Sequence, residues 1–445
     1  MNVIEPRPIQ SPEALTDSGD SSVNAFNKFI QDHLLHNFIV NVLDGGFFGA
    51  ALGFASFITV IPLFVSSLTD SAILIGLIPA FHTVGWHLPQ ILTANQVSRL
   101  RRFKPLLLVL TLNERLPFFG LAIVALASMS LSVKTTLILT FGVLVWQGLG
   151  GGFTGTAWQS LIAKIIPSRR LGLFFGVQAA AANLLASLSA IGAGFILEEF
   201  PIPQGFTYCF FLAGILMLVS MGFLSLSREP SSPISQMSSQ SNRKFLKNLA
   251  SILQEDTNFC WFLVARSFFQ LAMMAIAFYT VYVVRDLGVS ESTVGIMTGI
   301  LMAIEVIANP IMGWFGDRHG HRMVLEFGAF IAAMSALIAW FAPIPLWFYI
   351  VFALIGIANV TAWTTAMAMT LEFGTEAKRP IYIGLANTLV APSAILAPLI
   401  GGWLADHSGY PTTFLVSAIF GLITAVIFRV KVKNPLPEHR LVSKP

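Results

Sequence analysis

Twelve stretches of about twenty or more mostly apolar residues follow one another along this chain, most of them joined by short polar connectors. A bilayer's hydrocarbon core is about 30 Å thick, and a helix rising about 1.5 Å per residue needs about 20 residues to cross it. The backbone finds no water there, so each stretch must satisfy its own N–H and C=O groups as a helix. The stretches, numbered here as spans 1 to 12, are 37–65, 72–97, 105–128, 135–163, 171–197, 206–226, 258–284, 292–315, 323–342, 345–372, 381–405 and 411–430. They predict an all-α membrane protein with twelve transmembrane helices. Charged residues make up only 11% of the chain, against about 25% in soluble domains.

One connector is long. Residues 227–257 begin rich in Ser, Pro and Gln and become basic and amphipathic from Arg243 to Leu253, the pattern of a linker. It separates an N-terminal six-helix bundle, 37–226, from a C-terminal one, 258–430, with tails at 1–36 and 431–445. The first tail is rich in Ser, Pro and acids and is expected to be disordered. It has no apolar run behind a basic head, so span 1 is expected to act as its own insertion signal. Cys209 and Cys260 both lie in apolar stretches and read as small core residues.

The basic residues orient the chain. With both termini in the cytoplasm, 22 of the 26 Lys and Arg fall on the cytoplasmic side, the last five counted from Arg429 at the inner end of span 12, with 2 in outside loops (Lys134 and Arg285) and 2 deeper within spans (Arg115 and Arg266). Such a bias is the positive-inside signal. It also explains the net charge of +4 without nucleic acid. The expected setting is a plasma or bacterial inner membrane. The expected partners are the lipid bilayer and a small-molecule substrate, and the chain is expected to act as a monomer.

The two halves look like copies. Spans 5–6 match spans 11–12 at an offset of 208, with Gly176 on Gly384, Gly194 on Gly402 and Glu198 on Asp406. Lys104 matches Arg322 at an offset of 218, and spans 4 and 10 each carry Thr-Ala-Trp, at 156–158 and 361–363. Two pseudo-symmetric six-helix bundles of this kind place a substrate site between them, near mid-membrane.

The segment Gly313-Trp-Phe-Gly316-Asp317-Arg318-His-Gly320-His-Arg322 ends span 8. With twelve spans and a long central linker, it resembles the signature between spans 8 and 9 of bacterial-type transporters of the major facilitator superfamily. The resemblance covers roughly residues 37–430 and leaves the substrate unassigned. It implies that Gly313, Asp317, Arg318 and Arg322 form a gate that holds the cytoplasmic side shut. Asp317, at a helix end, can meet Arg318, Arg322 or the positive N-terminus of a neighbouring helix. The first-half counterpart, NQVSRLRRFK at 95–104, has Asn95 for the first Gly and Arg99 for the Asp, which argues against a symmetric gate. The superfamily's drug–proton antiporters usually carry an Arg where span 4 has Leu144, three residues before Gln147-Gly148. Their Gly-Pro-x-x-Gly-Gly pattern is absent from span 5, and a similar Ala397-Pro398-Leu-Ile-Gly401-Gly402 stands in span 11.

Charges at mid-bilayer cost at least about 2.5–3.5 kcal/mol on insertion scales. Asp44, Glu114, Arg115, Arg266 and Glu305 all lie within spans. Glu305 is 12 residues before Asp317, hence about 18 Å from the inner end, and it matches His87 at the 218 offset. Glu305, His87 and Asp44 are the proton-coupling candidates, because a buried carboxyl or imidazole can be tuned toward neutrality. The alternative for Glu305 is a structural pair with Arg115 or Arg266. Asp44 and Arg266 fall one residue apart in the repeat and are expected to form a structural or gating pair, with Arg266 otherwise available to an anionic substrate. Glu114 and Arg115 sit on span 3, peripheral in the resembled fold, and read as packing residues.

Substrate-cavity candidates are Arg266, Gln147, Trp158, Gln159, Asn183, Gln270, Asn359, Trp363 and Asn387, an aromatic and sparsely charged set. There is no P-loop, no His-Glu-x-x-His and no clustered Cys/His spacing, so neither catalysis nor a metal or cofactor is expected. The expected function is secondary transport by alternating access, driven by a proton gradient, with a lean to efflux of amphipathic compounds. Uptake of a small neutral or mono-anionic metabolite, or a non-transporting receptor or assembly role on the same fold, are the alternatives.

Overall fold

The structure is a computed structural model, and it describes residues 24–57, 59–69, 72–87, 89–232, 249, 251–289, 291–342, 344–376 and 378–435. Among these residues, eleven helices are long and apolar enough to cross a membrane. The other expected crossing, span 2, is divided into Ala72–His87 and Gln90–Val97, with Pro89 between them. Proline has no N–H to donate and its ring crowds the preceding turn, so a helix tends to break there. Span 1 is likewise shorter than its apolar run. It is the helix Leu34–Phe54, and Val60–Ser66 forms a separate short helix. The first tail is not wholly disordered as expected, since residues 24–32 are helical; residues 1–23 lie outside the described residues.

Other spans also bend at defined places. Span 3 is Lys104–Arg115 followed by Pro117–Ala127. Span 10 runs as Trp347–Val360, loosens into a π-turn at Thr361–Thr365, and resumes at Ala366–Thr370. Spans 4, 5 and 11 are single long helices, Val133–Ile165, Leu171–Glu199 and Arg379–Ser408.

Each half has its own apolar core. Phe64, Phe118, Phe210 and Met217 are in the N-terminal one, and Phe262, Tyr279, Phe348 and Phe414 in the C-terminal one. A third cluster joins Val97, Phe103, Leu161 and Phe174 to Ala368, Leu371 and Ile383, so it spans both halves. It lies at the face carrying the basic loops. The start of the linker is docked on this face. Glu229 accepts from the Phe103 and Lys104 N–H groups that open span 3 and pairs with Lys164 at 2.9 Å. The Ser232 hydroxyl donates to Glu376 of the other half at 2.5 Å.

The halves meet most closely through glycine. A Cβ added at Gly176 would run into the Asn309 carbonyl, and one at Gly313 into the Gly172 backbone. Small residues of this kind let helix backbones approach. Farther along the same face of span 5 the packing ends: Ala190 is exposed, and a Cβ at Gly194 would meet nothing. The two halves are therefore shut at the basic face and part toward the opposite one.

Gly176→Val should reverse that bias. Overpacking costs about 1–3 kcal/mol, enough to shift a two-state equilibrium by about 5- to 150-fold. Spin labels replacing the exposed Arg169 and His319 should show a dominant short distance in the parent chain and a dominant long one in the variant.

Candidate functional site

Span 5 enters its first turn without a side-chain cap of its own at Arg170. Asp317 of span 8 supplies one from the other half: its two carboxylate oxygens accept from the Gly172 and Leu173 N–H groups, both at 2.7 Å. These are first-turn donors that an α-helix leaves open, and an anion there is also favoured by the helix dipole. Of the partners open to Asp317 in the sequence, the N-terminus is the one it takes. The arginines do something else. Arg318 lies over the Trp314 ring at 5.5 Å, and Arg322 donates to the Arg429 carbonyl at 3.1 Å and meets Glu326 at 3.6 Å, tying the end of span 12. His321 stands behind Asp317, with Nε2 3.6 Å from its Oδ1 and Nδ1 2.8 Å from Glu372 Oε1.

At mid-depth the halves are joined again. Asn359, in the same half as Glu305, donates to Glu305 Oε1 at 2.6 Å, and Asn183 of span 5 donates to Oε2 at 3.3 Å. Among the described residues no cation lies within ion-pair distance of Glu305. It is thus paired with neither Arg115 nor Arg266. One turn on, Asn309 donates to the Glu305 carbonyl at 2.8 Å and accepts from the Thr364 hydroxyl at 2.7 Å. Thr364 belongs to the π-turn of span 10, a distortion often found at functional sites.

That turn also faces a cavity of about 220 Å³ whose walls come from both halves. Trp363 and Thr364 line it from the C-terminal half, and Trp86, Trp158, Phe48 and Gln178 from the N-terminal half. The two repeat-related Thr-Ala-Trp motifs therefore each place a tryptophan in the same cavity. Its polar end is a buried cluster. Arg115 meets Asp44 at 3.2 Å and Glu114 at 3.5 Å, and also donates to the Met217 carbonyl and the Ser220 hydroxyl, both at 3.1 Å. Ser220 in turn donates to Asp44 at 2.6 Å.

A profile of the Major Facilitator Superfamily matches residues 260–444. The structure is similar to a transporter of that superfamily, FucP in the outward conformation, with a TM-score of 0.72 over 89% of this chain and 98% of that one, at 14% identity. Residues 260–444 thus match that superfamily, and the chain shares the fold of its transporters. It is 29% identical over 174 residues to the probable vesicular acetylcholine transporter-B of Danio rerio, which takes in 36% of this chain and only 35% of that relative's length. It is also 29% identical over 311 residues to the multidrug resistance protein MdtG of Enterobacter lignolyticus, 69% of this chain and 72% of that protein.

Within this fold several sequence expectations change. Asp44 does not pair with Arg266 but with Arg115 of span 3, whose long side chain reaches it beside Met217 and Ser220 of span 6. Arg266 is buried, donates to the Thr370 hydroxyl at 3.4 Å and lies over Phe262 at 5.7 Å. Glu114 and Arg115 are not peripheral packing residues. They line the cavity, and the long Arg115 side chain reaches its sequence neighbour despite their separation around the helix. The signal was present in the glycine run of span 4. A Cβ at Gly150 would strike the Asn113 backbone, so span 3 seats directly on span 4 and turns its charges inward.

The remaining candidates scatter. His87 is buried against Trp363, ring centres 6.3 Å apart, and does not touch Glu305. Asn387 bonds Gln90 across the halves at 2.6 Å. Gln147 is buried and holds His82 at 3.1 Å, Gln159 is buried in span 4, and Gln270 is half-buried on span 7. His321 was missed because nothing in its local sequence separates it from a solvated loop histidine.

Asp44→Ala leaves Arg115 with Glu114 alone, at 3.5 Å, and breaking a buried pair costs about 3–5 kcal/mol. The detergent melting temperature should fall well below that of the parent, whereas Glu326→Ala, which breaks partly exposed pairs with Arg322 and Arg429, should leave it nearly unchanged. Asp317→Ala should cost about 1 kcal/mol of closure at the basic face, read as a partial lengthening between labels at 169 and 319.

Proposed function

We propose that this chain is a proton-coupled secondary transporter that exports small amphipathic molecules by alternating access. The observation that carries the reading is Glu305, a carboxyl at mid-depth whose two oxygens are held by amides of opposite halves, Asn359 and Asn183. Hydrogen bonds to an ionised group contribute about 1.5–3 kcal/mol and neutral ones about 0.5–1.5. A proton arriving on Glu305 therefore weakens the bond between the halves by about 1 kcal/mol.

Thr364 extends the link to substrate. It lines the cavity and donates to Asn309, which donates to the Glu305 carbonyl. A ligand seated against Trp363 and Thr364 presses on the turn that positions this chain of bonds. Asp317 then closes or frees the basic, cytoplasmic ends as the halves rock. The lean to export draws on the cavity's aromatic walls and on similarity to a relative named a multidrug resistance protein.

The test is transport in vesicles of both orientations with an imposed proton gradient. Glu305→Gln should bind ligand yet lose accumulation driven by the gradient, and Thr364→Val should weaken coupling several-fold while keeping counterflow. Gradient-driven accumulation unchanged in Glu305→Gln would remove it as the coupling group. Accumulation only in right-side-out vesicles would establish uptake. Absence of transport of any ligand that binds would favour a receptor.

A further inference from the structure

The cavity's polar end holds two carboxylates, Asp44 and Glu114, and one guanidinium, Arg115, all more than nine-tenths buried. The donors of that guanidinium are largely used. Nε goes to the Met217 carbonyl, Nη1 to Glu114, and Nη2 to both Asp44 and Ser220. A guanidinium has five N–H groups in a fixed fork, so Arg115 has little left to offer an anion. An anionic ligand entering here would find spent donors and one carboxyl group more than the guanidinium can balance. The opposite wall is aromatic: Trp86, Trp158 and Trp363 line the same space, and tryptophan presents the most favourable ring face to a cation.

We propose that the cavity is a binding site for a small organic cation. Its charged group is held on the Asp44–Glu114 side, where the ion cluster carries one carboxylate more than Arg115 balances. Its apolar body lies among the three indoles. Because Trp158 comes from one half and Trp363 from the other, such a ligand touches both bundles at once. A cavity of about 220 Å³ limits it to a compact molecule. The proposal names the substrate class of the transport site above and rests on that reading for its physiological use.

The test is equilibrium binding to the full chain purified in detergent, without membrane or gradient. Three probes of similar shape are compared at one pH: benzyltrimethylammonium, its neutral isostere neopentylbenzene, and the anion benzenesulfonate. The cation should bind about tenfold tighter than the neutral probe, with the anion weakest. Glu114→Gln should abolish most of that preference. Trp363→Leu alters a side chain that is 46% exposed, on the other half. It should weaken the cation about threefold more than the neutral probe, and it decides the matter if Glu114→Gln does not fold. Equal binding of cation and neutral probe, tightest binding of the anion, or no binding of the cation overturns the proposal. Cation binding without transport in vesicles would overturn the transport reading alone. Transport with no cation preference would overturn this substrate class alone.

Discussion

The closure of this molecule depends on a helix end completed from outside its own bundle. Span 5 begins without a side-chain cap, and the two carboxylate oxygens of Asp317 take its open N–H groups from across the seam. That contact requires the backbones to come within reach, which Gly172 and Gly313 permit because neither carries a Cβ. A clamp made from a carboxylate and a helix N-terminus is strong when shut, yet it buries no large surface. It can therefore open without unfolding either half.

The second-half clamp has no carboxylate counterpart in the first. Where the repeat would place a carboxylate, Arg99 reaches back to Asn95 at 3.0 Å within its own helix end. The seam between spans 2 and 11 is held differently, by close packing of Gly384 on Ile91 and Ala94 and by the amide bond from Asn387 to Gln90. Duplication thus preserved the steric fit on both sides of the pseudo-axis but the electrostatic latch on only one. The docked start of the linker, through Glu229 and Lys164, adds a buried ion pair on the side that lacks the latch.

Between the clamp and the open face lie two separate polar groupings. Glu305 is the mid-depth acid that bridges the halves, and the π-turn at Thr361–Thr365 sets its bonded neighbours beside the cavity. The ion cluster of Asp44, Glu114 and Arg115 stays inside one half. A rocking motion of the bundles therefore changes the surroundings of Glu305 directly and those of the cluster mainly through whatever bridges Trp158 and Trp363. The two proposed roles fall on either side of this division, proton coupling on Glu305 and substrate binding on the cavity.

The sequence by itself determined the class of the fold and most of its crossings. These follow from local causes: an apolar helix must span a bilayer, and charges avoid it. It also singled out Glu305 and Asp317, since a carboxyl at mid-depth and one at a helix end are each conspicuous against an apolar background. The partners were another matter. Asp44 reaches Arg115 rather than Arg266, Glu305 settles on two asparagines, and Glu114 faces a cavity because span 3 seats on the glycines of span 4. Repeat alignment reports which residues descend from equivalent positions. Which side chains touch is decided by how the helices rotate and pack, and that exists only in the tertiary structure.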